Sequence, residues 1–258
     1  MNKQQVIFED LGIINYKSAW NYQEELVKKN VDIKIQLRKE EADGNKQMKN
    51  AELQSTNYLL FCEHLPVYTL GKSGHIENAL LSEDQMVDKE IEFFRTNRGG
   101  DITFHGLQQV VGYPILDLEK FYTDIGKYLR SLEEVIILTI AEYGIKGERS
   151  KGETGVWIEP GTIGKERKIC AMGIRCTRWI TMHGFALNVN TDLSYFKNIV
   201  PCGIVNKQVT SIEKELGQKI NFDEVKEKIR KNFAQVFNVE IISPHGLPHQ
   251  AQASAARL

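Results

Sequence analysis

Apolar residues recur along this chain with two different periods, and the changes of period mark out its elements. In "YKSAWNYQEELVKKN" (16–30), Ala19, Tyr22, Leu26 and Val27 form one stripe, which predicts an amphipathic helix. "VDIKIQL" then alternates apolar and polar, which predicts a strand. "RKEEADGNKQMKNAELQST" has no period and reads as a surface loop or a frayed helix. "NYLLFCEH" and "PVYTLG" are short apolar runs separated at Pro66, and "DITFHG" and "VVGYPILDL" form another such pair. Phe121, Ile125, Leu129, Leu132, Ile136 and Ile140 recur every three or four residues, so a long helix is predicted, with Gly144 as its stop. "GVWIE" and "KICAMGIRCTRWITMHGFALNV", together with the stretch after it, read as strands joined by tight glycine turns. Two helices follow. One is capped by Thr210 with Glu213, the other by Asn221 with Glu224, and the second stacks Val225, Ile229 and Phe233. Hairpin-like strands among separated helices predict an α+β fold with no internal repeat. Residues 1–258 are expected to form a single domain, with the tail from about 246 to 258 disordered or loosely attached.

Composition narrows the function classes. The chain has 258 residues, 41% of them apolar, which is enough for a sizeable core. The net charge of -1 points to neither nucleic acid nor an anionic membrane. The first residues carry acids and no apolar core region, so no secretory leader is read there, and the longest apolar run, "VIILTI", is too short to span a bilayer. Cys62, Cys170, Cys176 and Cys202 are scattered without a CxxC pair, so a cytoplasmic protein with reduced thiols is expected.

Cys202 is unlike a core cysteine. It lies in "NIVPCGI", with Pro201 fixing the backbone before it and Gly203 freeing it afterwards, and loops of this kind carry sites. A cysteine nucleophile must be a thiolate and needs a cation or base nearby. His105, His183 and Lys168 are the candidates. Lys168 leads from the basic turn "GKERK" into an apolar segment, so it is either a partly desolvated base or the last solvated residue of that turn, and both readings stand at this level. In "RGGDITFHG", Gly99 and Gly100 either let a substrate lie against bare backbone or simply make a hairpin turn. A phosphate-binding loop is excluded by the absence of GxxxxGK[ST], and no histidine or cysteine pair has zinc-ligand spacing, so no metal site and no cofactor are expected.

Taken in order, "EHLPVYTLGK", "RGGDITFHG", "GVWIE", "KICAMGIRCTRWITMHGFALNVNTDLSYFKNIVPCGI" and "VTSIE" resemble the successive signature blocks of the lipoyl(octanoyl) transferases, from about Glu63 to Glu213. The resemblance implies the fold of lipoate– and biotin–protein ligases, a mixed β-sheet flanked by helices. It implies an acyltransferase that moves octanoyl from acyl carrier protein to a lysine of lipoyl domains, those of 2-oxoacid dehydrogenase complexes and of the glycine cleavage H protein. It implies no nucleic-acid or membrane partner. Cys202 corresponds to the nucleophile that becomes the acyl thioester, and Lys168 to the lysine that lowers its pKa and handles the proton. Arg98, Gly99, Gly100, Asp101, Ile102, Thr103, Phe104 and His105 correspond to one substrate-binding stretch. Ala171, Met172 and Gly173 correspond to a second, and Gly184, Phe185 and Ala186 to a third.

Two rival readings use the same residues: an ATP-dependent lipoate or biotin ligase, which would not need Cys202, and a non-catalytic binder of lipoyl domains. A third, a thioester hydrolase, needs water to outcompete the amine. Lys165, Arg167, Arg175, Arg178, Lys197 and Lys207 flank the site segments and form either a docking face for acidic partners or an ordinary solvated surface. The family pattern HGPGQ is here "HGLQQ", and Leu107 and Gln108 are therefore expected to reshape the acyl pocket. The polar stretch 39–56 is longer than the family's, and the tail has no counterpart in it.

Overall fold

The computed structural model describes residues 3–42, 53–200 and 208–243. Strand β1 (Gln4–Ile13) leads into helix α1 (Tyr16–Ala42), followed by β2 (Asn57–Glu63) and β3 (Val67–Leu70). Helix α2 (Glu83–Asp88) precedes β4 (Glu92–Arg95), β5 (Ile102–His105) and β6 (Gln109–Ile115). After α3 (Ile125–Ala141) come β7 (Val156–Ile158), β8 (Arg167–Thr177) and β9 (Ile180–Asn188). The rest is β10 (Gln208–Val209), α4 (Ile212–Leu216), α5 (Phe222–Phe237) and β11 (Val239–Ile242).

An eight-stranded mixed sheet runs β10-β8-β9-β6-β2-β1-β11, with β7 also paired to β8, and β4, β3 and β5 make a separate three-stranded sheet. β2 explains why its sequence is apolar throughout. Tyr58, Leu60 and Cys62 face α1, where they meet Ala19, Leu26 and Val27. Leu59 and Phe61 face the other way, toward Leu132 and Ile136 of α3 and Ile229 and Phe233 of α5. A strand covered on both faces has no polar side to show. The expected mixed sheet flanked by helices is what forms.

Several local expectations are corrected. "VDIKIQL" is not a strand but the continuation of α1 to Ala42. Its alternating apolar residues are only half-buried, and the residues that turn inward are polar. Asn30 exchanges two hydrogen bonds with the backbone of Thr56, and the Lys34 ammonium meets the Asp117 carboxylate at 2.6 Å and Glu119 at 2.9 Å. The predicted long helix begins at Ile125 rather than Phe121, because the Asp124 side chain caps it by accepting from the Lys127 N–H. Helix α4 is capped by Ser211, one residue later than expected, whereas Asn221 caps α5 as expected. The β8–β9 turn uses no glycine. Arg178 and Trp179 take φ of 49° and 65° themselves, the two left-handed residues that a tight hairpin of this twist requires. The stretch after β9 forms a 3-10 turn at Leu193–Asn198 rather than a strand. No periodicity marks β1 or β11, which pair in parallel from Gln4↔Val239 to Ile7↔Ile242. The tail from 246 to 258 lies outside the described residues, as do most of the polar stretch 39–56 and Cys202.

Candidate active site

A cavity of about 590 Å³ opens between the two sheets. Of the residues singled out from the sequence, Arg98, Gly99, Gly100, Asp101, Ile102, Thr103 and His105 line it on one side. Lys168, Ala171, Met172 and Gly173 of β8 and Gly184, Phe185 and Ala186 of β9 line it on the other. Phe104 is the exception. Its ring is 1% exposed in the core of the small sheet, stacked 4.5 Å from Tyr195, on the face of β5 opposite Thr103 and His105; Ile102 shares that core and reaches the cavity at the strand's end.

A β-bulge aims Lys168. In the β7–β8 pairing Val156 lies opposite Cys170 and Trp157 opposite Lys168, so Ile169 is the extra residue. The insertion shifts the alternation of β8. Ile169 and Cys170 are buried in the main core, while Lys168 shares the cavity wall with Ala171 and Gly173. The Lys168 ammonium lies 4.5 Å from the centre of the Trp157 ring, within cation–π range, and its carbonyl accepts from Thr210 N–H at 3.0 Å.

Backbone proximity fixes two of the glycines. A Cβ on Gly173 would lie 2.6 Å from the Gly99 carbonyl oxygen, and one on Gly184 would lie 2.2 Å from that of Gly112. These two glycines face each other in the β8–β9 register. Both are sheet requirements as well as cavity wall.

The Arg98 guanidinium is 7% exposed by residue and turns into the protein. It donates to the carbonyls of Thr69 (2.6 Å), Gly99 (3.0 Å) and Asp101 (2.8 Å) and to the Thr69 hydroxyl (3.0 Å), so it builds the 98–101 loop. The Thr69 hydroxyl in turn faces His105 Nε2 at 3.3 Å, and His105 Nδ1 faces Gln109 Oε1 at 2.9 Å. Gln109 spends its amide N–H groups on Phe104 and Asn188, so its oxygen accepts from His105. Burial and the nearby Arg98 and His64 hold His105 well below the ordinary histidine pKa. Burial brings His183 down to about 3, and His64 to about 4. All three rings are neutral at pH 7.

The sequence reading missed Tyr16, Gln109, Tyr113, Leu129, Asn188 and the segment Gly152–Thr154, which also line the cavity. Tyr16 opens the predicted helix 16–30, and its ring stacks on His105 at 5.9 Å, while burial raises its hydroxyl to about 12. His64, which no sequence motif singles out, joins the Ile14 carbonyl to the Tyr113 hydroxyl, 2.8 Å from each. Among the described residues no group of three His, Cys, Asp or Glu side chains could hold a metal ion.

Leu107 and Gln108 are not part of the cavity wall. Leu107 is 44% exposed, and Gln108 takes the left-handed φ of 60° that a glycine would favour. Its N–H donates to Glu63 at 2.6 Å and its side-chain oxygen accepts from Asn190 at 2.8 Å. Among the described residues this turn reaches the cavity only through its neighbour Gln109, and neither Leu107 nor Gln108 lines it. Two of the flanking cations are also committed within the chain: Arg167 is paired to Glu159 and Glu215, and Arg175 to Glu24. Lys207 lies outside the described residues.

Comparison with known proteins places these features in a family. The lipoyl protein ligase A/B catalytic domain matches residues 15–234. The octanoyltransferase of Christiangramia forsetii is 57% identical over 93% of this chain and 99% of its own length, and that of Flavobacterium johnsoniae is 58% identical over 94% and 100%. Among solved structures, a lipoate-protein ligase A bound with ATP superposes with a TM-score of 0.68 at 15% identity, over 95% of this chain and 89% of that one. A bipartite lipoate protein ligase from Thermoplasma acidophilum gives 0.63 at 17% identity, over 95% and 87%. These two likenesses concern the fold, and the sequence matches carry the membership: the chain belongs to the lipoyl protein ligase A/B catalytic domain family.

Proposed function

We propose that this chain is an octanoyltransferase that moves an octanoyl group from octanoyl-acyl carrier protein to a lipoyl-domain lysine, through a thioester on Cys202. The observation that carries the reading is the similarity of 57–58%, over essentially the whole length of both proteins, to enzymes named octanoyltransferase. In the first half-reaction Lys168 takes the proton of the Cys202 thiol, and the thiolate attacks the donor carbonyl. A new S–C bond forms, and the carrier's thiolate leaves with a proton from Lys168. In the second, the acceptor amine attacks the thioester carbonyl and gives a proton to the now neutral Lys168, the C–S bond breaks as the amide forms, and Lys168 returns that proton to the departing Cys202 thiolate. The first exchange, thioester for thioester, is nearly balanced and the second runs downhill, so neither needs ATP.

Three observations support these roles. Lys168 is half-buried on the cavity wall with its ammonium 4.5 Å from the Trp157 ring centre. Phe196 and Val209, either side of Cys202 in sequence, both line the same cavity. Burial pushes the thiols of Cys62, Cys170 and Cys176 above the ordinary cysteine pKa, so none of these three is an activated thiol. The apolar wall of Val111, Leu129, Met172 and Phe185 suits an acyl chain, with each buried methylene contributing about 0.8 kcal/mol. Residues 98–103, 105, 171–173 and 184–186 are the substrate contacts in this reading. The acceptors are lipoyl domains of 2-oxoacid dehydrogenase complexes and the glycine cleavage H protein, and the setting is cytoplasmic.

The test is intact mass after incubation with octanoyl-acyl carrier protein and no ATP. One octanoyl group is expected on the peptide holding Cys202, and Cys202→Ala should show neither that adduct nor any transfer. An adduct on Cys170 or Cys176, or transfer from free octanoate only when ATP is supplied, would overturn the reading.

A further inference from the structure

Glu133 on α3 has no place in that chemistry, yet its side chain is 0% exposed. A carboxylate so buried is strongly destabilising unless it is fully paired. Oε2 accepts from Arg130 at 2.6 Å and from Arg149 at 3.1 Å. These arginines are 45% and 37% exposed, and Arg149 also pairs with the surface carboxylate of Glu134 at 2.5 Å. Neutralising the arginines therefore does not require a buried acid. The partner that does require one is the backbone N–H of Gly155, buried and held by Oε1 at 3.0 Å.

Gly155 is pressed against the strand that carries Lys168. It has a φ of +112°, and a Cβ there would lie 2.5 Å from the Cys170 carbonyl oxygen and 3.7 Å from Cδ of Lys168. Two residues on, Trp157 pairs with Lys168 in the sheet and offers its ring to the ammonium at 4.5 Å. Just before it, Gly152, Glu153 and Thr154 line the cavity. The Glu133–Gly155 hydrogen bond therefore fastens the segment that surrounds the Lys168 side chain from stem to tip.

We propose that Glu133 is a positioning residue for Lys168, acting through the Gly155 amide. This rests on the reading of Lys168 as the group that handles the proton. A lysine side chain has many rotamers open to it, and proton transfer requires its nitrogen within about 3 Å of the reacting atom. Releasing the 152–157 wall spreads Nζ over more positions without removing a substrate contact, so the loss falls on kcat rather than KM.

The experiment measures octanoyl transfer to a lipoyl domain, with kcat and donor KM taken on folded protein, and amide exchange over residues 150–158. Glu133→Met keeps the volume and removes the acceptor. It should lower kcat about tenfold at unchanged KM and speed exchange at Gly155 through Trp157. Glu133→Gln keeps an oxygen for the Gly155 N–H and should stay within about threefold of wild type with that exchange preserved. Wild-type kcat in Glu133→Met overturns the proposal. So does a tenfold loss in Glu133→Gln while the Gly155 amide remains protected, or an equal loss in both variants that follows melting temperature. Lys168→Ala separates the two levels. If it turns over normally, the reading of Lys168 fails; if it is slow while Glu133→Met is normal, only the role of Glu133 fails.

Discussion

His64 carries its proton on Nδ1, because that nitrogen faces the Ile14 carbonyl at 2.8 Å and a carbonyl only accepts. Nε2 is then the acceptor for the Tyr113 hydroxyl, also at 2.8 Å. A second proton on Nε2 would force the Tyr113 hydroxyl to turn and accept instead, and burial lowers the ring to about 4. In the unfolded chain the same ring titrates near about 6.5. Between those values the unfolded state binds the extra proton and the folded state does not. Stability is therefore complete above about pH 6.5 and falls as the pH drops toward 4, by about 1.4 kcal/mol per unit for each such histidine. His183, with a folded value of about 3, extends the loss further into acid. Urea midpoints between pH 7 and pH 4.5 should show this slope, and His64→Gln should make it shallower. An unchanged slope in the variant would mean that His64 takes up its proton without unfolding the site. None of this is visible in "EHLPVY": the spacing around His64 excludes zinc, but the carbonyl and the hydroxyl that define its role come from residues 50 and 49 positions away.

Elements were legible where one face is apolar and illegible where a buried face is polar. Apolar runs located β2, β3, β5, β6, β8 and β9, and the cap of α5 follows from Asn221, whereas the apolar periodicity passes over the Asp124 cap of α3 for an earlier start at Phe121. Helix α1 beyond Asn30 was lost because its inward residues are Asn30 and Lys34, which hydrophobic periodicity counts as outward. Direction within a strand was the other gap. The motif "RGGDITFHG" marks the cavity wall as a block, but alternation takes Phe104 out of it, and no spacing rule forecasts the bulge that turns Lys168 into it. The glycines can be separated the same way. Gly184→Ala would drive a Cβ to 2.2 Å from the Gly112 carbonyl and 2.6 Å from the Pro114 ring, both held in the sheet. It should destabilise the β6–β9 pairing by about 3 kcal/mol or more. Gly99→Ala meets only the Ile174 carbonyl, at 3.5 Å, an ordinary contact. It should melt within a few degrees of wild type and change donor KM instead. Thermal melts of the two variants decide this, and a Gly184→Ala protein that melts like wild type would show that the close approach relaxes at little cost.

At the scale of the whole molecule, the cavity exists because the small sheet is held against the large one, and Arg98 is central to that attachment. Its guanidinium reaches Thr69 on β3, while its neighbour Gly99 donates to the Ile174 carbonyl on β8 at 2.9 Å. Tyr16 of α1 adds a second tie, stacking on Phe94 of β4 at 5.3 Å and on His105 of β5. The family resemblance implies that "RGG" binds substrate, and Arg98 also donates to the Thr69, Gly99 and Asp101 carbonyls and the Thr69 hydroxyl, which gives the residue a structural task of its own. Replacing it with methionine keeps much of the apolar stem and removes the donors from three carbonyls, each costing about 1–3 kcal/mol if left buried without a partner. The reading of one cooperative domain makes a definite forecast here. In the wild type, amides of β3, β4 and β5 should exchange only through the same global opening as those of β2, β6 and β9. In Arg98→Met the small sheet should exchange through its own, lower-energy opening while the large sheet keeps most of its protection. If the two sheets already exchange separately in the wild type, the chain is not one cooperative unit. If instead Arg98→Met weakens both sheets equally in a single transition, the coupling is carried by the aromatic stack around Tyr16 and not by the arginine.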